Sequence, residues 1–139
     1  MSRQDYAALA EVRHRIRRFL NFSEAAARAA GVEPQQHQLL LAIKGLPPSE
    51  TATIGVCAER LQIRHNSAVE LANRAEQQGL VVRTPSAKDQ RAVALSITAR
   101  GDLILNELAL VHRDELRSAA PSLLRALTQL LDDGPEEPR

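Results

Sequence analysis

Asn66, Glu70, Asn73 and Gln77 recur at spacings of four, three and four residues. At 100° per residue they share one face of a helix, while Ala68, Leu71, Ala72 and Ala75 share the opposite face. A helix sealed on one side by small apolar residues and lined on the other by amides, with Ser67 beside them, suits hydrogen bonding to the edges of DNA bases. Arg64, Arg74, Lys88 and Arg91 flank this face and suit phosphates or a narrow minor groove. His65 is expected to touch the DNA backbone rather than to ligate a metal. Glu70 cuts both ways, since its carboxylate accepts from cytosine N4 but repels phosphate.

Other reactive side chains point to weaker chemistry. Cys57 is the single cysteine, so no internal disulfide or Cys-rich zinc site is expected. It falls on an apolar stripe with Ile54, Ala58 and Leu61 and has no activating neighbour in sequence, so a core role is preferred to redox sensing. His14, His37, His65 and His112 form no pair at metal-ligand spacing beside a carboxylate-rich loop, so no metal or cofactor is expected. His112-Arg113-Asp114 superficially matches a kinase catalytic loop, but the chain is short and has no Gly-rich phosphate loop; helix surface is the expectation. No Ser-His-Asp order with an oxyanion loop and no dinucleotide fingerprint is seen, and the chain is read as a non-enzyme.

The elements that must position the polar face follow from periodicity and punctuation. A first helix is predicted from about residue 5 to 29, with Leu9, Val12, Ile16, Phe19 and Leu20 at helical spacing and Gly31 as its stop. Pro34 opens a second helix, ended by Gly45, Pro47 and Pro48. Thr53 is an N-cap for a short third helix to about Leu61, although Val56 denies it a capping box. Gln62 and Ile63 leave room for only a short turn before a fourth helix from about His65 to Gln78, closed by Gly79. Leu80 to Val82 and Ala92 to Ile97 read as strands, joined by a polar loop from Pro85 to Arg91. Thr98 caps a long helix, and Pro121 is predicted to open a separate last one, before an acidic tail. Helix, short turn, helix and charged hairpin make a winged helix-turn-helix.

Composition agrees with a folded, mostly helical domain. Of 139 residues, 44% are hydrophobic and 25% charged, which allows a buried core. Aromatic residues are 2%, too few for stacking platforms on single-stranded nucleic acid. The net charge of +1 hides a gradient. Arginines crowd residues 1–30 and 60–91, and acidic residues dominate after Arg100. No stretch approaches a membrane span and no leader is evident, so a cytoplasmic protein with no membrane partner is expected.

Residues 53–101 resemble the multiple-antibiotic-resistance regulator (MarR) family of bacterial transcription factors. The resemblance rests on Thr53-Ile54-Gly55, Ala58-Glu59-Arg60-Leu61, Arg64-His65-Asn66-Ser67-Ala68-Val69, Asn73-Arg74-Ala75-Glu76 and Gly79-Leu80-Val81. Its most specific part is Asp89-Gln90-Arg91, similar to the family's Asp-x-Arg wing, followed by Leu95-Ser96-Ile97-Thr98 and Gly101. Pro34-Gln35-Gln36-His37-Gln38-Leu39-Leu40 is similar to the family's second helix, and the flanking helices fit its order. Asn73 departs from the commoner Asp, and Ala72 and Ala75 are smaller than usual.

The resemblance implies a mostly α fold with a small β-hairpin wing and dimerisation helices at both ends. The expected divisions are a dimerisation helix over 1–32, a DNA-binding lobe over 33–100, dimerisation helices over 101–132 and an acidic tail over 133–139. Within the lobe, the recognition helix spans about 65–78 and the wing about 80–97. A homodimer would be held by Leu9, Val12, Ile16, Phe19, Leu123, Leu127 and Leu130. Arg91 would enter the minor groove, Asp89 would orient the wing by pairing with an arginine, and Arg74 would contact phosphate. The implied function is a ligand-responsive repressor of double-stranded DNA acting on a pseudo-palindromic operator. Its effector would be a phenolic or lipophilic anion, in a pocket to which His14, Arg17 and His37 are candidates. The alternative is a winged-helix adaptor or anti-regulator that binds protein.

Overall fold

The structure is a computed structural model that describes residues 1–86 and 92–132. Its elements are α1 (Arg3–Ala29), α2 (Pro34–Lys44), α3 (Ile54–Leu61), α4 (His65–Gln77), β1 (Val81–Pro85), β2 (Val93–Ile97) and α5 (Ala99–Leu131). They fall into two compact units, Met1–Ala26 with the chain from Leu110 onward, and Ala27–Ala109. The long helices α1 and α5 each contribute to both units.

In the central unit, α3 and α4 form the helix-turn-helix. Thr53 caps α3, its hydroxyl accepting from the Val56 N–H at 3.2 Å. The turn is made by Gln62 in the left-handed region (φ 54°), with Gln62 N–H donating to Glu59 O and Ile63 N–H to Ala58 O. The Gln62 amide folds back onto the Glu59 carbonyl at 2.8 Å, which secures a conformation that glycine usually occupies. Gly79 ends α4 in the same way (φ +73°): its N–H donates to Glu76 O and the Leu80 N–H to Ala75 O. Leu80 thereby belongs to the helix stop and the core rather than to a strand.

The wing is an antiparallel pair in which Val81 faces Ile97 and Arg83 faces Leu95. β1 runs on through Pro85, which the sequence places in the loop. Ser86 N–H donates to Ala92 O and closes the described part of the hairpin. A bridge between Thr53 and Ala94, with Leu95 N–H donating to Ala52 O at 2.8 Å, ties the wing base to the entrance of α3. Leu39, Leu40, Cys57, Leu71, Leu80 and Val81 are fully buried and form the centre of this core. Thr98 joins the wing to α5: its hydroxyl donates to Gly79 O and accepts from the Gly101 N–H, the expected cap.

Helix α5 corrects the sequence reading. It is one helix of 33 residues, with Pro121 inside it rather than at the start of another. Proline removes one i→i−4 hydrogen bond and crowds the preceding turn. The turns on either side keep their own bonds, and Ala119 and Ala120 are strong helix formers. Helix α1 begins two residues early because Ser2 and Asp5 cap it reciprocally, each side chain accepting from the other's backbone N–H at 3.0 Å. The Ser2 N–H first, and then the Ser2 hydroxyl, hold the Asp5 carboxyl below its ordinary value.

In the terminal unit, His112 is half-buried, correcting its expected place on the surface. Its ring stands edge-on to Phe19 and Phe22, and its Nε2 lies 2.8 Å from Ser23 Oγ. No described helix is long and apolar enough to cross a membrane.

Candidate nucleic-acid interface

The two-sided character of α4 is borne out by burial. Ala68, Leu71, Ala72 and Ala75 are sealed in the core, the last two completely. Arg64, His65, Asn66, Ser67, Glu70, Asn73 and Arg74 are all exposed. Arg64 is the N-cap position and supplies no capping bond from its side chain. The first turn of α4 therefore presents His65, Asn66 and Ser67 outward together.

Asn73 is differently placed. Its side-chain oxygen accepts a hydrogen bond from the Arg83 guanidinium on β1. The guanidinium also lies 3.5 Å from Glu76 Oε1. A guanidinium only donates, so the Asn73 oxygen faces Arg83, which takes one of its two lone pairs and leaves the NH₂ free to donate elsewhere. Arg83 was counted in the sequence as one more basic residue and given no role; its partners are ten and seven positions away. Arg100 was also missed. Its guanidinium donates to the Gln78 carbonyl at 2.7 Å and satisfies the C-terminal end of α4.

Lys88, Asp89 and Arg91 lie outside the described residues, so the wing-tip roles stay as implied by the resemblance. Residues 30–92 match a family model described as MarR family. Over these residues the chain is similar to the MarR family. The chain is 32% identical to the HTH-type transcriptional repressor MdtR of Bacillus subtilis (strain 168) over 78 residues, 56% of this chain and 48% of the relative. The chain spans about half the length of the curated relatives it matches. Among solved structures, AbsC, a MarR family transcriptional regulator from Streptomyces coelicolor, shares the fold with a TM-score of 0.74. Identity there is 18%, over 95% of this chain and 89% of that one. A mutant of S. aureus MepR bound to an oligodeoxyribonucleotide shares it with a TM-score of 0.64 at 16% identity, over 95% and 86% of the two chains.

The remaining candidates separate by environment. Cys57 is buried, and burial pushes its thiol up to about 11, which leaves little thiolate for redox chemistry near neutrality. Among the described residues no cluster of three or more His, Cys, Asp or Glu is placed to hold a metal. His37 is buried in the core of the central unit, whereas His14 and Arg17 are exposed in the terminal unit. Of the expected dimer residues, Leu9, Ile16 and Leu127 are exposed, Val12, Leu123 and Leu130 are half-buried, and Phe19 packs on His112 of its own chain.

Proposed function

We propose that this chain is a MarR-family regulator, a sequence-specific binder of double-stranded DNA that acts as a homodimeric, ligand-responsive repressor in the cytoplasm. The observation that carries the reading is α4, with its core face closed by Ala68, Leu71, Ala72 and Ala75 and its polar face exposed from Arg64 to Arg74. Apolar side chains left exposed along α1 and α5, among them Leu9, Ile16, Leu124 and Leu127, support self-association. A pair of lobes would set two recognition helices about 34–36 Å apart on a pseudo-palindrome. MdtR is described as a repressor and the MepR mutant as DNA-bound, which supports the same reading here.

The effector would be a small phenolic or lipophilic anion. It relieves repression only if it binds the lobe spacing that does not fit DNA better than the spacing that does. The adaptor reading keeps one observation in its favour: Glu70 is exposed on the DNA-facing side of α4. A fluorescence-anisotropy titration onto duplexes selected from a random library, at two salt concentrations and with unrelated competitor, decides between them. A repressor gives saturable binding that survives competitor and weakens with salt. No binding at low salt would favour the adaptor.

A further inference from the structure

Arg83 makes three links to α4. Its guanidinium donates to Asn73 and reaches Glu76, and its backbone N–H donates to Glu76 Oε2 at 3.4 Å. The backbone link follows from the register. Arg83 faces Leu95, and Leu95 turns its N–H away from β1 to Ala52 O. In an antiparallel pair this makes both residues a non-hydrogen-bonded couple, so the Arg83 N–H points to the open edge of β1. Glu76 covers that edge with the carboxylate that also receives the guanidinium.

A two-stranded hairpin has little stability of its own. Its base is held where the chain passes from helix to strand at Gln78, Gly79 and Leu80 and by the tie of Leu95 to Ala52, but among the described residues the outer face of β1 meets α4 only through side chains. The guanidinium fork spans this corner and fixes it from the outside. We propose that Arg83 is a positioning residue that braces the wing against the recognition helix, so that both engage DNA as one rigid surface. This rests on the DNA-binding reading above. Its competitor is that Arg83 is itself a phosphate ligand.

The two roles predict opposite signs at Glu76. If Arg83 braces, Glu76→Met weakens binding to a selected duplex roughly tenfold although it removes a negative charge from the DNA-facing lobe. Arg83→Met weakens it similarly, and the double variant is no worse than either single one, as for residues acting through one interaction. Hydroxyl-radical protection is lost at the flanking minor grooves and kept at the central major grooves. In the free protein, amides of residues 81–85 exchange faster in both variants while helix content is unchanged. If Arg83 ligates phosphate, Glu76→Met binds as tightly or more tightly, the effects add, and exchange in residues 81–85 is unaltered; that pattern overturns the brace. A wild type that binds no duplex defeats the DNA reading instead, and the exchange measurement then decides the brace alone.

Discussion

At Gly101 the first turn of α5 passes so close to the end of α4's stop that an added Cβ would lie 2.3 Å from the Leu80 carbonyl oxygen and 3.0 Å from the Ile97 side chain. The obstacle is backbone, already held by the Leu80 N–H to Ala75 bond and the Thr98 N–H to Leu80 O bond, so it cannot yield cheaply. Gly101→Ala is expected to lower stability by about 1–3 kcal/mol, read by urea denaturation. An unchanged midpoint would show that α5 can shift outward without loss. Cys57 gives a second prediction at this scale. Its raised thiol favours the protonated form in the folded chain, so its contribution to stability is full below about pH 9 and is lost as pH climbs towards about 11. The stability advantage of wild type over Cys57→Ala should therefore shrink across that range, and peroxide should not release DNA from either protein. Single residues were unequally legible. The polar face of α4 follows from spacing alone, and Gly101 was marked by resemblance although its reason is a contact across the fold. Arg83 was invisible as a brace, because its partners come together only when the hairpin folds back on α4.

The helices were readable where capping and apolar periodicity agreed: Thr53, Gly79 and Thr98 each stand at the boundary their chemistry favours. The left-handed Gln62 was not foreseen, since its stability depends on the amide returning to Glu59. Pro121 shows a local rule overridden, and the override has a measurable size. With apolar residues recurring on both sides, packing and helix continuity outweigh the lost hydrogen bond. Proline costs about 3 kcal/mol in a helix interior relative to alanine, and its restriction of the unfolded chain returns at most about 1 kcal/mol. Pro121→Ala should thus raise stability by about 2 kcal/mol and slow amide exchange in the turn around it. A destabilised Pro121→Ala would mean that the proline ring itself is packed or that α5 needs its local geometry.

The molecule as a whole leaves more apolar surface on its terminal helices than one chain can hide. Leu124 is 65% exposed and Leu131 84%, while Leu9 and Ile16 are exposed on α1. Patches of this kind mark association surfaces. If two copies bury them, the protein reads DNA through linked lobes, and the second half-site is bound at a high effective concentration. Leu124→Glu tests this without damaging the protomer, because the side chain already lies largely in water. The variant should sediment as a monomer at micromolar concentration with its helix content intact. Its affinity for a duplex carrying both half-sites should fall by roughly a hundredfold. Its affinity for a duplex carrying one half-site should stay unchanged, since α4 and the wing are untouched. The comparison of the two duplexes matters more than either number. Equal losses on both would mean that Leu124 supports the fold of the lobe, and a variant that remains dimeric would place the self-association surface elsewhere.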